Sequence, residues 1–316
     1  MSFPRNVWTY WAGTPSRGVE QCVRSWKHHL GESWKITIVD DEKLFSLVPR
    51  GYLPSNYESL DVKKRSDSAR VALVRKHGGV WADTHILLLE NYDWVLDLFD
   101  NQGMSFVGYL NPDHSAHRDT GVDYIESWWF AALPESPIIK GWNEAWVRGV
   151  EQAASSSPGD FTETDMFRVT HFPNMEEQTK NYLFIGVTLA HARRHNPSTK
   201  EEFDAGRAHL LDCYDGPSWH WNEENHNLDK LKQQSGAHFF KFVAIQHKHC
   251  DEAAGNRTRM ESPFYKELFE VNAPQTLTEK VSVHLESEHY RYLAFLITVL
   301  IGLVVIVAIK TRETKT

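Results

Sequence analysis

Residues 66–90, SDSARVALVRKHGGVWADTHILLLE, leave this chain few ways to fold. Ser66 to His77 reads as a helix: Ser66 is a good N-cap, Asp67 suits the first turn, and Lys76 and His77 suit the last. Ala69, Ala72 and Leu73 give it an apolar stripe at helical spacing. Gly78-Gly79 ends it, because glycine accepts the left-handed backbone that helix C-termini often need. Val80 to Ala82 and Ile86 to Leu89 are apolar, and Asp83-Thr84-His85 interrupts them. That pattern predicts a buried strand with a polar knuckle.

Two polar pairs lie in the stretch. Asp67 and Arg70 are three apart and share one helix face; alone, they read as a solvated pair worth a few tenths of a kcal/mol. Asp83 and His85 are two apart, so in an extended chain they point the same way. A carboxylate and an imidazole converging at a strand end can hold a divalent cation.

Upstream, Val7 to Trp11 reads as a strand, Gly18 to Leu30 as a helix, Trp34 to Val39 as a strand and Glu42 to Val48 as a short helix. This β-α-β-α order predicts an α/β domain with a parallel sheet and a ligand at the carboxyl ends of its strands. No G-x-G-x-x-G follows the first strand, which argues against a dinucleotide oxidoreductase.

The combination of S-D-x-x-R, an apolar helix, G-G-V-W-x-D-x-H and an apolar run resembles the sugar-nucleotide site of DXD-containing glycosyltransferases. It is most similar to the capsular polysaccharide synthesis proteins and family 32 enzymes of the GT-A group. The resemblance covers roughly the first 135 residues and, loosely, the segment after residue 239. It implies a GT-A-like, Rossmann-type nucleotide-sugar-binding domain. It also implies retaining transfer from a UDP- or GDP-sugar to a glycan, lipid or protein acceptor. By this resemblance Asp83, Asp67 and Arg70 are the catalytic residues, with Asp67 and Arg70 on the donor sugar. Asp83 and His85 take the two acidic positions of the DXD motif and bind metal, flanking Thr84, and His247 is the third ligand, with His249 the alternative register. Histidine at the second position implies Mn²⁺ in preference to Mg²⁺. The W-T-Y-W-A-G-T-P segment corresponds to the family's first strand and places Thr9, Tyr10 and Trp11 at the donor, with Trp11 stacked on the base. Glu126 to Ala132 matches the family's N-W-F-x-A segment, which puts Trp129 at the sugar pocket; Trp128 stands where the family has Asn. Lys248 and Arg257 would neutralise the leaving diphosphate.

Asn91 to Phe99 reads as a helix, Met104 to Leu110 as a strand, Asn111 to Val122 as a polar loop and Ser136 to Val150 as a helix capped by Ser136. Ala153 to Asp160 is loop-like, Phe161 to Arg194 mostly helical, and Asn196 to Gly206 polar enough to suggest disorder. His220 to His226 is not a zinc motif, since its histidines are six apart, and Phe239 to Ile245 reads as a late strand.

Composition sets the remaining bounds. A net charge of −8 argues against nucleic acid as a partner. Three cysteines, Cys22, Cys213 and Cys250, lack paired spacing and read as reduced thiols. Tyr292 to Ile309 carries no charge over a length that can span a bilayer, with Tyr290 and Tyr292 on one side and Lys310 and Arg312 on the other. The expected organisation is a catalytic domain over 1–272, a polar connector over 273–291, a transmembrane helix over 292–309 and a basic tail over 310–316. The first residues carry no apolar signal run, so the catalytic domain is expected on the cytosolic side of a single C-terminal anchor. The rival expectation is a catalytically degenerate, membrane-anchored carbohydrate-binding or scaffold protein, with His85 marking lost metal binding.

Overall fold

The structure is a computed structural model and describes residues 2–15, 17–115, 123–154, 160–172, 175–213 and 239–241. The N-terminal elements are Asn6–Tyr10 (β1), Arg17–Leu30 (α1), Lys35–Val39 (β2), Asp41–Leu47 (α2), Val62–His77 (α3), Gly79–Ala82 (β3) and Ile86–Leu88 (β4). Asp93–Asp100 (α4), Phe106–Asn111 (β5), Tyr124–Ala132 (β6) and Pro137–Ala154 (α5) follow. Asp165–Val169 (α6), Glu177–Tyr182 (α7), Phe184–His195 (α8), Pro197–Asp204 (α9), Ala208–Asp212 (β7) and Phe239–Lys241 (β8) complete the described elements.

The main sheet has the order β2-β1-β3-β6-β5-β7. β1 runs parallel to β2 and β3, as the alternating order predicts, but β6 runs antiparallel to both β3 and β5, so the sheet is mixed and not parallel. Alternation along the strands builds two cores. Trp8, Trp81, Phe106 and Phe130 face α3, α5 and α8. Val7, Val80, Val107 and Ala131, their chain neighbours, face α1 and α4. A strand whose successive side chains are all apolar is buried on both faces, which is why these runs do not alternate with polar residues.

The helix before the site begins one turn earlier than the sequence pattern suggests. Asp61 is the N-cap of α3 and accepts from the Lys64 N–H at 2.9 Å, which puts Ser66 inside the helix and not at its start. The helix ends as expected, with Gly78 at φ 64° and Gly79 at φ 97°. A Cβ on Gly78 would meet Pro134 at 2.6 Å, and one on Gly79 would meet the Asn6 carbonyl at 2.5 Å. Both glycines are therefore needed for conformation and for close approach.

Two further readings are corrected. Asn196 to Gly206 is ordered: Asn196 caps α9 by accepting from the Thr199 N–H at 3.2 Å, Pro197 opens the helix, and buried Thr199 donates to the Pro137 carbonyl at 2.9 Å. β7 is an edge strand parallel to β5 that the sequence reading left out. The 220–226 histidines, His117 and Asp119, and Tyr292 to Ile309 with its connector and tail lie outside the described residues. Among the described residues, no helix is long and apolar enough to cross a membrane.

Candidate active site

α3 carries Asp67 and Arg70 in its second turn, and the turn after β3 carries Asp83. Arg70 joins them. Its Nη2 lies 3.1 Å from Asp67 Oδ1 and 3.6 Å from Asp83 Oδ1. Its Nη1 donates to the Ser127 carbonyl at 2.8 Å and to the Ser127 hydroxyl at 2.7 Å. Its guanidinium lies 5.2 Å from the Trp81 ring centroid, on a wholly buried indole. Asp67 and Arg70 are thus a buried pair, and the solvated-pair reading is corrected: at 8% and 6% exposure, neither is a surface group.

A bulge in β6 makes this arrangement possible. Gly108 pairs with Phe130 and Leu110 with Ile125, so Tyr109 alone lies opposite Glu126 to Trp129. The extra length of β6 turns Ser127 to Arg70 and lets the Trp128 carbonyl accept from the Asp83 N–H at 2.8 Å.

Asp83 is held on one oxygen. Trp81 Nε1–H donates to Asp83 Oδ1 at 2.8 Å, the same oxygen that faces Arg70, which leaves Oδ2 clear of both contacts. Asp83 to Ile86 is a tight turn, closed by the Ile86 N–H on the Asp83 carbonyl at 3.1 Å. The extended-chain argument for Asp83 and His85 therefore does not hold, because the two residues lie in a turn and not in a strand. Thr84 is buried, with its hydroxyl 3.4 Å from His85 Nδ1. Among the described residues, no group of three or more His, Cys, Asp or Glu side chains is arranged to hold a metal. β8 pairs antiparallel with β4, Lys241 opposite Ile86. His247, His249, Lys248 and Arg257 lie outside the described residues.

The cluster has a strained electrostatic balance. Burial pushes the Asp67 carboxyl above its ordinary range, against the pull of Arg70 and Lys64. Lys64 is the buried cation on the other side: its Nζ is 3.8 Å from Asp67 Oδ2 and donates to the Tyr182 carbonyl at 3.1 Å. Burial lowers the Lys64 ammonium below its usual value.

The residues assigned to the donor are dispersed differently. Trp11 is half-buried just beyond β1, and its indole N–H has no hydrogen-bond partner among the described residues. Thr9 is fully buried and its hydroxyl is likewise unpartnered. Tyr10 points into the α3-side core, and its hydroxyl donates to Asp41 Oδ1 at 2.7 Å; Tyr57 donates to the same oxygen and Arg65 to Asp41 Oδ2. Burial first, then the Asp41 contact, pushes the Tyr10 phenol up to about 12. Trp129 is wholly buried, stacks on Trp94 at 5.4 Å and sends its N–H to the Tyr92 hydroxyl at 3.1 Å. It sits in the core beneath the site. Ser127, Trp81 and Lys64 were not singled out by sequence, although Ser127 and Trp81 fall inside the two motifs that were.

Residues 2–158 match the family described as capsular polysaccharide synthesis protein. Over these residues the chain is similar to that family. The family segment contains Asp67, Arg70, Trp81, Asp83 and Ser127, whereas Tyr182, which receives Lys64, lies beyond it. No curated protein sequence matches the chain. Three solved structures are similar at low identity. The PaToxG glycosyltransferase is 14% identical, covering 64% of this chain and 84% of that one, at a TM-score of 0.35. Mouse xyloside xylosyltransferase 1 in its apo form is 13% identical, covering 78% and 99%, at 0.39. An active-site mutant of LgtC is 9% identical, covering 87% and 99%, at 0.38.

Proposed function

We propose that this chain is a membrane-anchored glycosyltransferase of the capsular polysaccharide synthesis family. It moves a sugar from a UDP- or GDP-sugar to a glycan, lipid or protein acceptor with retention of configuration. One observation carries the reading: two carboxylates, Asp67 and Asp83, are gathered on one buried guanidinium where α3 and β3 meet the bulge of β6. Charges this desolvated are costly to keep unless a ligand uses them.

The residues fit a divalent ion. Asp83 offers Oδ2, clear of its two contacts, and His85 lies in the same turn. A carboxylate with an imidazole suits Mn²⁺ better than Mg²⁺. Asp83 and His85 would hold the ion, with His247 as third ligand. A bound divalent ion supplies charge stabilisation for the leaving diphosphate. Trp81 fixes the Asp83 carboxylate, so the ligand needs no reorganisation when the donor arrives. Asp67 accepts hydrogen bonds from donor-sugar hydroxyls, Arg70 aims it and Trp11 supplies a face for the base, while Thr9, Tyr10, Thr84 and Trp129, buried behind them, back the donor side without facing it. Lys248 and Arg257 balance the diphosphate, and Tyr292 to Ile309 anchors a cytosol-facing domain.

The test is a panel of UDP- and GDP-sugars with Mn²⁺ or Mg²⁺, read by released nucleotide diphosphate. Release from at least one donor, faster with Mn²⁺ and abolished by chelator, is expected. Full activity in excess chelator would overturn the metal assignment, and no release from any donor would overturn the enzyme reading. The degenerate, carbohydrate-binding alternative is favoured by one contact, the Arg70 cation 3.6 Å from Asp83 Oδ1, where it competes with a metal. That alternative predicts sugar binding without turnover.

A further inference from the structure

Tyr124 opens β6, two residues before the bulge that builds the site. It is wholly buried, yet its hydroxyl has no hydrogen-bond partner among the described residues. A buried hydroxyl left unpaired is costly, and such groups are rare in folded proteins. The ring itself is tightly held. His114 and Phe172 meet it edge-on at 5.7 Å and 5.6 Å. A Cβ on Gly186 would come within 2.2 Å of Tyr124 Cε2, so α8 carries glycine where it crosses this ring. Among the described residues, the ring is therefore fixed while its hydroxyl has no partner.

The surroundings of that hydroxyl identify what it lacks. The charged groups it feels are Glu126, Asp67 and Arg70, two of them members of the cluster above. Glu126 is half-buried and commits one carboxylate oxygen, Oε1, to Asn111 Nδ2 at 2.8 Å. Burial first, then the Glu126 and Asp67 charges, hold the phenol well above its usual value, so the hydroxyl remains a donor. A fixed donor on the strand that also carries Glu126 and the Arg70-binding Ser127 matches one chemistry: a ligand hydroxyl, which accepts from a phenol and donates to a carboxylate at once.

We propose that Tyr124 is a sugar-recognition residue whose hydroxyl donates to a hydroxyl of the sugar handled at the Asp67–Arg70–Asp83 site, with Glu126 accepting on the same sugar. This rests on the glycosyltransferase reading. It adds a specificity determinant in β6 and α8, the latter beyond the family segment. Gly186 belongs to it indirectly, as the residue that leaves room for the ring.

Tyr124→Phe tests it, because the two roles agree on stability and differ on KM. If the hydroxyl only sits unpaired, its removal leaves binding untouched and the melting temperature equal or higher. If it binds sugar, the melting temperature is equal or higher but KM rises about 3- to 10-fold, the loss of one neutral hydrogen bond. Donor hydrolysis without acceptor and transfer with acceptor are run side by side. A rise in the first assigns the hydroxyl to the donor sugar; a rise only in the second assigns it to the acceptor sugar. Unchanged KM in both overturns the proposal. Calorimetry with UDP-glucose, GDP-mannose and free oligosaccharide makes the test independent of turnover. Binding without turnover would sink the enzyme reading alone. Equal binding by wild type and Tyr124→Phe, or no binding by either, would sink this inference.

Discussion

Helix α3 carries two arginines that each gather two carboxylates, and the two clusters do different jobs. Arg70 binds Asp67 and Asp83 and faces the Trp81 ring. Arg75 binds Glu135 at 3.3 Å and Glu144 at 3.2 Å and lies 4.0 Å over the Tyr52 ring. The chemistry is the same; the solvent is not. The acid side chains on Arg70 are 11% and 24% exposed, whereas those on Arg75 are 45% and 47% exposed. Glutamates with that much water satisfy themselves, so the Arg75 cluster is a pin between α3, the 134–136 turn and α5. Short aspartates without water cannot, so the Arg70 cluster keeps a demand for a ligand. Burial depth, not ion-pair count, separates a structural arginine from a site arginine.

The sharpest way to break this comparison is to remove each arginine. Arg70→Met removes the cation shared by Asp67 and Asp83, leaves Asp67 only Lys64 at 3.8 Å, and should cost about 3–5 kcal/mol in denaturant unfolding, along with all turnover. If Arg75→Met costs as much, the distinction fails. Asp83→Ala is next: about 10²- to 10³-fold in turnover, the scale of losing one preorganised electrostatic group, with the fold intact by circular dichroism. Glu144→Ala, on the other cluster, should leave turnover unchanged and cost about 0.2–1 kcal/mol in stability.

A third cluster gives a pH signature and no effect on turnover. His191 on α8 sits 3.0 Å from Arg148 Nη2 of α5 and stacks near His195 at 4.4 Å. Burial, and then the positive charges of His195, Arg148 and Arg194, lower its imidazole from 6.5 to about 4. Between those values the unfolded chain binds the proton and the folded chain does not, so stability present above pH 6.5 is lost as pH falls toward 4. His191→Gln should flatten that limb in melts run from pH 7 to 4 and leave turnover unchanged. An unaltered limb would show that other groups govern it.

Local pattern was legible in the sequence, and long-range pairing was not. Periodicity found β1, β2, α1, α2 and the helix–glycine–strand unit, because each depends on neighbours a few residues away. Asp61 caps α3, and Asn196 with Pro197 opens α9, but Ser66 was read as the cap of the first and a polar composition masked the second. The antiparallel course of β6 and its bulge opposite Tyr109 depend on partners far along the chain, so no local signal announces them. The same limit applied to the site. Asp67, Arg70 and Asp83 were found by motif and lie together. Ser127, which anchors Arg70 from 57 residues away, was not singled out, and Tyr10 and Trp129 proved to be satisfied inside the core.

The single-residue link at Gly78 between α3 and β3 also bears on the order of assembly. Arg70 meets its carboxylates at three residues before and thirteen residues after itself, within one helix, one turn and one strand. Arg75 must close loops of 60 and 69 residues to reach Glu135 and Glu144. Loop-closure entropy grows with length, so short-range contacts can form early and long-range ones wait for docking. The charged half of the site would then exist before the sheet is complete, with β6 arriving later as the strand that seals it. In a refolding experiment followed by pulsed hydrogen exchange, the amides of 70–82 should gain protection ahead of those of 124–132.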